Sequence, residues 1–179
     1  PEAFGLLALL LLQDSRREAR SGTDGELVLL ADQDRTLWNR AAIDEGLRVL
    51  DRAEAMRRPG PYQLQAAIAA GHAEGTDPSV IAVLYGALEQ FEPTPVVRLN
   101  RAVATALAGD VEGGLALLDG LEGLDGYSYL PAARADLLRR LGRSEEAAAA
   151  YREALALTEN AAERRFLARR LEEVAATAR

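Results

Sequence analysis

A pattern that repeats after 33 residues constrains the fold of this chain more than any other sequence feature. Gly109 and Gly142 each stand between two helix-forming stretches, ALAGDVEGGLALLDGL (106–121) and RRLGRSEEAAAAYREAL (139–155). A small side chain follows each glycine after five residues and a bulky one after nine: Gly114 and Leu118, then Ala147 and Tyr151. A small residue lets two helices approach, and its bulky neighbour fills the space beside it. The spacing therefore predicts stacked helix pairs, each with a glycine turn.

This order of turn glycine, small residue and large residue resembles the tetratricopeptide repeat. A degenerate earlier unit would place its helices at residues 62–74 and 79–91, with Tyr85 as the bulky packer and Thr76 where the turn glycine is expected. A capping helix is predicted over residues 161–177. We predict an all-α fold, in which an N-terminal helical portion packs on a short tetratricopeptide-like α-solenoid of about three helix pairs.

The segment PGP divides the chain, because proline ends helices and restricts the residue before it. Residues 1–60 are the predicted N-terminal helical portion, and residues 61–179 the repeats with their capping helix. A leucine-rich helix is predicted over residues 1–20. Its ten apolar or small residues, 3–12, are too few to span a bilayer, and we expect protein to cover this part of the helix on most sides.

Charged residues end this first helix and turn residues follow it. Arg16, Arg17 and Arg20 are expected at a solvated end, and the residues 21–25 are expected to break the helix. A second helix is predicted from about Thr36 to the residue before Pro59. Its core candidates are Trp38, Ala41, Ala42, Leu47 and Leu50.

Missing residue types exclude most common enzyme chemistries. The chain has no cysteine and no lysine, and His72 is its one histidine. Thiolate nucleophiles, a phosphate-binding P-loop lysine, a Schiff-base lysine and a multi-histidine metal site are therefore excluded within one chain. No G-x-S-x-G motif is present. We expect no catalytic residues, no metal and no cofactor.

The formal net charge of −7 is unevenly distributed. Residues 61–127 hold nine acidic and two basic side chains, whereas residues 1–60 and 128–179 have net charges of −2 and +2. An acidic surface repels the nucleic-acid backbone, so direct DNA binding by this chain is not expected. A basic surface on a partner protein is the better electrostatic match.

The groove of the predicted repeats is apolar. The positions that bind a peptide carboxylate in some tetratricopeptide proteins are here occupied by small or apolar residues and by two amides: Gln63, Ala66, Ala70, Val96, Leu99, Asn100 and Val103. These positions do not form a carboxylate clamp. An apolar groove is usually covered, and we expect the leucine-rich helix or the segment ELVLL (26–30) to cover it.

Five stretches, in chain order, give a more specific likeness. PEAFGLLALLLL, DGELVLLADQDRTLWNR, GPYQLQAAIAAGHAE, PTPVVRLNRAVA and LDGYSYLPAARADLLRRLGR together resemble the C-terminal extension of one subgroup of bacterial extracytoplasmic function (ECF) sigma factors. In that subgroup a tetratricopeptide-like domain follows two promoter-binding domains. The resemblance covers essentially the whole chain and implies a cytoplasmic protein in which this domain regulates promoter-directed transcription initiation.

The same resemblance implies the partners. They are RNA polymerase and the promoter-binding domains of the full-length chain, which would lie before Pro1. Promoter DNA would be contacted only through those domains, and no membrane contact is expected. A free-standing tetratricopeptide-like scaffold that binds peptides is the alternative, and a small-molecule enzyme or sensor using Tyr127, His72 and nearby acids is a third.

Candidate contact residues concentrate in ADQDRTLWNR (31–40). We interpret this stretch as a structural clasp, in which Asp34 caps the following helix, Arg35 and Arg40 pair with Asp32 or other acids, and Trp38 is buried. The alternative is a contact surface for the sigma factor's other domains or for the polymerase. The partner-contact candidates are Asp32, Asp34, Arg35, Trp38, Arg40, His72, Asp125 and Tyr127.

The last three candidates lie in the repeats. His72 is interpreted as an interior or interface histidine rather than a pH sensor or ligand. Asp125, Gly126 and Tyr127 form a predicted turn between repeats, in which Gly126 supplies a permissive backbone and Tyr127 packs between units. Partner contact is the alternative function of this turn.

Overall fold

The structure, a computed structural model, describes residues 1–22 and 28–177. Its long helices are α1 (Glu2–Asp14), α2 (Arg40–Glu54), α3 (Pro61–Glu74), α4 (Pro78–Phe91), α5 (Pro95–Leu107), α6 (Val111–Asp119), α7 (Tyr129–Arg140), α8 (Ser144–Leu157) and α9 (Ala161–Thr177). Short 3₁₀ turns lie at Arg17–Arg20, Leu30–Asp32 and Arg35–Leu37. The predicted all-α fold is confirmed.

Most of these helices start at residues that favour a helix N-terminus. Proline occupies the first turn of α3, α4 and α5, where its missing amide removes no helical hydrogen bond. Among the described residues, a side-chain oxygen just before the helix accepts hydrogen bonds from free backbone amides at the starts of five helices; these oxygens belong to Asn39, Asp77, Thr94, Asp110 and Asn160. The sequence thus sets the helix boundaries locally, before any packing.

Successive helices pack in pairs. α3 packs with α4, α5 with α6 and α7 with α8, and α9 covers α8 as the predicted capping helix. α1 packs against both α2 and α3, so the N-terminal helices rest on the first pair. The arrangement is solenoid-like, with an N-terminal helical portion and three helix pairs, as the repeat pattern predicts.

The repeat residues take the predicted positions. Gly109 and Gly142 have φ angles of 109° and 73°, in the left-handed region that glycine adopts without strain. The small residues Gly114 and Ala147 are buried, and so are their bulky neighbours Leu118 and Tyr151. In the earlier unit the turn glycine is Gly75, with φ of 73°, one residue before the expected position at Thr76. Tyr85 in this unit is half-buried.

Polar contacts join neighbouring helix pairs. Glu89 on α4 accepts hydrogen bonds from Arg98 and Arg101 on α5, at 3.0 and 2.6 Å. Arg140 on α7 donates to the carbonyl of Ala106 on α5 at 2.8 Å. The Ala106 carbonyl also accepts from the Gly109 amide at 3.2 Å, so Arg140 is a further donor to this oxygen and links two pairs.

The two predicted N-terminal helices are shorter than expected. α1 ends at Asp14, not near residue 20, because Ser15 Oγ donates to the Leu12 carbonyl at 2.7 Å and the Asn39 amide donates to the Ser15 carbonyl at 2.8 Å. The helix predicted from Thr36 starts at Arg40, since Asn39 caps it through the Ala42 amide at 3.1 Å.

Burial along α2 follows from its true start. Trp38 and Leu50 are buried as predicted, Ala42 and Leu47 are half-buried, and Ala41 is exposed. Ile43 and Gly46, which were not predicted as core residues, are buried instead. Of the predicted break at 21–25, residues 23–25 lie outside the described residues.

The hydrophobic core around Trp38 crosses the predicted boundary at residue 60. Ala8 and Leu12 of α1 and Ile43 of α2 pack in one cluster with Ala66 and Ala70 of α3. The division into residues 1–60 and 61–179 stays a prediction.

Among the described residues, no helix has the length and apolar character needed to cross a membrane.

Gly114 offers a direct test of the close approach between α5 and α6. A Cβ atom there would lie 2.7 Å from both the Ala102 carbonyl oxygen and the Ala106 Cβ. We expect Gly114→Ala to lower the free energy of unfolding by about 1–3 kcal/mol, because the two helices must move apart.

The measurement is urea unfolding followed by circular dichroism, with Gly120→Ala as the control. A Cβ at Gly120 would meet its nearest atoms at 3.8 Å, so this variant should change the stability by less than about 0.5 kcal/mol. Equal stability of the two variants would contradict the tight α5–α6 contact.

Candidate functional site

Trp38 is the centre of the candidate site. The chain enters it through the 3₁₀ turn Arg35–Leu37 and leaves it into α2, with Trp38 in an extended conformation at φ −76° and ψ 133°. The residue is 4% exposed, so its indole packs inside the N-terminal cluster. The predicted burial of Trp38 is confirmed.

Two guanidinium groups lie against the Trp38 ring. The Cζ atom of Arg35 is 5.0 Å from the ring centroid and that of Arg16 is 5.8 Å from it. Both distances fall within the range in which a cation is attracted to an aromatic ring. Arg35 is exposed, whereas Arg16 is only 8% exposed, so the ring contacts one cation near solvent and one inside the protein.

The burial of Arg16 corrects the prediction of a solvated end at Arg16, Arg17 and Arg20. Arg17 is exposed and pairs with Asp14, and Arg20 is exposed and donates to the Gln13 carbonyl at 2.7 Å. Arg16 instead donates to Gln13 Oε1 at 2.9 Å. Arg16 lies two residues beyond the end of α1, and its burial depends on the contact with the distant Trp38, which no local pattern contains.

His72 on α3 belongs to the same site. Burial lowers the pKa of the His72 imidazole, and the nearby charges of Arg16 and Arg35 lower it further. Tyr85 on α4 also faces this region: burial raises the pKa of its hydroxyl, and the charge of Arg16 opposes that rise. The end of α1, the Trp38 segment, α3 and α4 therefore converge on one cationic cluster, here called the Trp38 cluster (Arg16, Arg35, Trp38, His72 and Tyr85).

Hydrogen-bond donors in the Trp38 cluster lack acceptors. Trp38 Nε1 is buried and has no hydrogen-bond partner within the described residues. Among all the described residues, no carboxylate forms an ion pair with Arg16 or Arg35. The cluster combines positive charge with unused N–H groups, an arrangement suited to contact with an anion.

The other residues of the segment ADQDRTLWNR are not drawn into the cluster. Asp34 accepts hydrogen bonds from the amide and hydroxyl of Thr36, at 2.8 and 2.7 Å, and these bonds lower the pKa of its carboxyl group. Asp34 thus caps a 3₁₀ turn instead of the helix α2. Asp32 and Arg40 are exposed, and between the described side chains neither Arg35 nor Arg40 pairs with Asp32.

Asp125 and Tyr127 lie elsewhere in the fold. Gly126, with φ of 77°, allows the turn before α7, and Tyr127 packs against the hydrophobic core of the second and third pairs. Its ring contacts that of Tyr129 at 5.3 Å. Tyr127 therefore packs between units as predicted, Asp125 is exposed, and neither joins His72 in one site.

Tyr129 fixes the C-terminal end of the array and was not a predicted site residue. Its hydroxyl donates to Glu163 on α9 at 2.8 Å, and Glu163 also accepts from the Thr158 hydroxyl at 2.7 Å. Burial, together with the bond to Glu163, raises the pKa of Tyr129 to about 12. The hydrogen bond is thus present throughout the neutral pH range and holds α9 in place.

α1 leaves an apolar face open. Leu6, Leu7 and Leu10 are exposed, Leu10 by 58%, although α2 and α3 cover the opposite side of the helix. A groove of about 450 Å³ lies beside them, lined by Leu7, Leu10, Leu11, Gln13, Asp14, Arg17 and Arg20. The expectation that protein covers this helix on most sides is therefore correct for one side only.

The predicted cover over the repeat groove exists at its first unit. Glu2 of α1 accepts from the Gln63 side chain at 3.0 Å, and Gln63, Ala66 and Ala70 are buried. In the next unit Leu99 is buried, Val103 and Asn100 are half-buried, and Val96 is 40% exposed. The segment ELVLL was the other predicted cover, and its residues 26 and 27 lie outside the described residues.

The described residues contain no group of three or more side chains that could hold a metal ion together.

Comparison with known proteins places the Trp38 segment in a recurring sequence unit. Residues 1–54 match a family of unknown function (DUF6596), a stretch that contains Arg16, Arg35 and Trp38. An uncharacterized protein of Rhizobium meliloti (strain 1021) is 50% identical over 182 residues, covering 98% of this chain and 43% of that protein. The chain thus spans less than half the length of this relative. No solved structure matches the chain.

The perturbed His72 predicts a pH-dependent stability. Because folding lowers the pKa of His72 below 6.5, the unfolded chain binds the proton more readily than the folded chain. The contribution of the neutral His72 imidazole to the free energy of unfolding is fully present above pH 6.5. It is lost as the pH falls from 6.5 towards the lower pKa of the folded state.

We expect the urea midpoint of the wild type to fall over this window and that of His72→Gln to change less. The pKa values of the Asp34 and Asp77 carboxyl groups lie below 3.8. These two groups therefore stay ionised across the window and add no slope to it. A slope between pH 6.5 and 5 that His72→Gln retains in full would contradict the assignment.

Proposed function

We propose that this chain is the regulatory C-terminal domain of an ECF-type sigma factor, and that it modulates promoter-directed transcription initiation through protein contacts. The observation that carries the proposal is the open leucine face of α1 on a solenoid-like array of helix pairs, a combination typical of protein-binding domains. The five ordered sequence stretches that resemble this sigma-factor subgroup support the same function. The domain would act in the cytoplasm, with RNA polymerase.

The size of the relative supports an occupant on the same polypeptide. The Rhizobium meliloti protein has more than half of its length outside the aligned region, which is room for promoter-binding domains. A face on one 13-residue helix buries a few hundred Å², roughly, against about 800 Å² per partner in a stable complex of separate proteins. A tethered partner needs less area, because the linker holds it at an effective concentration in the millimolar range, roughly.

Charge supports an indirect relation to promoter DNA. The net charge of −7 repels the DNA backbone, so promoter contact is assigned to the other domains of the sigma factor. The acidic surface of residues 61–127 suits a basic surface on those domains or on the polymerase.

A free-standing peptide-binding scaffold is the second candidate. The exposure of Val96 on α5 favours it, because part of the groove of the second pair is open. A scaffold of this kind would bind short peptides without RNA polymerase, which separates the two functions experimentally.

The proposed function predicts that the domain changes transcription. We expect deletion of residues 1–179 from the full-length sigma factor to alter polymerase-dependent transcription from its own promoter by at least about tenfold, since docking energies of a kcal/mol or two suffice for such a change. Loss of transcription identifies an activating domain, and a gain identifies an inhibitory one. Unchanged transcription would contradict the proposal.

A single substitution tests the leucine face of α1. We expect Leu10→Glu in the full-length protein to shift transcription in the same direction as the deletion, by at least about threefold, because a carboxylate cannot be buried in an apolar contact without a large cost. Val83→Glu on α4 is the matched control, since Val83 is 71% exposed on another helix. Both positions face solvent in the isolated domain, so both variants should fold. Equal output from the two variants would show that α1 is not the docking face.

A further inference from the structure

Arg16 is a buried cation that no carboxylate of the described residues pairs with. It is 8% exposed, and its hydrogen bond to Gln13 Oε1 uses one of the five N–H groups of the guanidinium. Removing a charge from water costs several kcal/mol, roughly, unless an opposite charge or hydrogen bonds replace the lost solvation. The contact with the Trp38 ring offsets part of this cost only.

The groups beside Arg16 are also short of acceptors. The Trp38 Nε1 proton is buried and unpaired within the described part of the chain, and Arg35 places a second guanidinium on the same ring. His72 lies close enough to feel the charges of both arginines. Arg35 is exposed, so its guanidinium is the part of the cluster that faces solvent.

We propose that the Trp38 cluster is a binding site for a single carboxylate, held by Arg16, Arg35 and the indole N–H of Trp38. The planar guanidinium group donates two parallel hydrogen bonds that match the two oxygens of a carboxylate, and the indole supplies a third donor. Building on the proposed function, the carboxylate belongs to an acidic side chain of the surface on which the domain docks.

The charge of the whole chain favours one carboxylate over a polyanion. With a net charge of −7, the domain repels a nucleic acid or a polyphosphate at long range. A single acidic side chain on an otherwise basic partner surface avoids this repulsion. The basic surface would bring the partners together, and the carboxylate would fix their register at Trp38.

Trp38 itself reports on the site, because it is the one tryptophan in the chain. The experiment titrates the isolated 179-residue chain, at constant ionic strength, with sodium acetate, the capped tripeptide Ala-Glu-Ala, its Ala-Gln-Ala counterpart and inorganic phosphate. We expect acetate and the glutamate peptide to change the Trp38 fluorescence in a saturable way, with Kd in the millimolar range, roughly, as befits one small group. The glutamine peptide should give no saturable change.

Arg35→Gln is the decisive variant, since an exposed residue can be replaced without unfolding the chain. We expect it to weaken acetate binding at least about fivefold, as the loss of one charge-assisted contact would. Arg48→Gln is the matched control, because Arg48 is an exposed arginine on α2 that pairs with Glu45 away from the cluster. It should leave Kd unchanged.

A second measurement does not depend on fluorescence. Acetate should raise the Tm of the wild type through preferential binding to the folded state, and raise that of Trp38→Phe, which keeps a ring but loses the N–H, by less. The carboxylate site would be overturned by no saturable response up to about 100 mM acetate, which corresponds to no useful affinity, or by equal Kd values for Arg35→Gln and Arg48→Gln. A response to phosphate alone would also overturn it. None of these outcomes involves polymerase, so they are distinct from a failure of the transcription assay.

Discussion

The contact between the N-terminal segment and α3 organises this structure. Trp38 lies in the same hydrophobic cluster as Leu12 of α1 and Ala66 of α3, and Arg16 and Arg35 contact its ring. Because α1 packs on α3 as well as on α2, the solenoid-like array begins with a covered first pair. The cost of placing the Arg16 guanidinium inside the protein is part of the same contact, since Arg16 is buried where its side chain lies against the Trp38 ring.

Regular packing was predictable because the repeat encodes it locally. A glycine turn, a small residue and a large residue determine how two helices meet, and Gly109, Gly114 and Leu118 meet these requirements in the structure. Irregular packing was not predictable in this way. The end of α1 and the start of α2 depend on a long-range hydrogen bond between the Asn39 amide and the Ser15 carbonyl, which no local pattern contains.

In the candidate site too, the features set by local sequence were predictable and the long-range contacts were not. Burial of Trp38 and the turn at Gly126 follow from residue type, and both were predicted. The contact of Arg16 with the Trp38 ring was not, because it joins distant parts of the chain. Arg35 and Arg40 were expected to pair with acids such as Asp32. The structure instead places Arg35 on an aromatic ring, where a planar, weakly hydrated guanidinium packs well.

The charge pattern gives the Trp38 cluster its functional meaning. The chain holds 28 acidic and 21 basic side chains, so an arginine in it has many possible carboxylate partners. Arg98 and Arg101 share Glu89, and Arg134 pairs with Asp119 at 3.1 Å. Arg16 and Arg35 pair with no carboxylate in the described residues, although Arg16 is the more buried cation and would gain more from one. In so acidic a chain, two guanidinium groups against the ring of a tryptophan whose N–H is unpaired leave a place for a carboxylate that none of the described residues supplies.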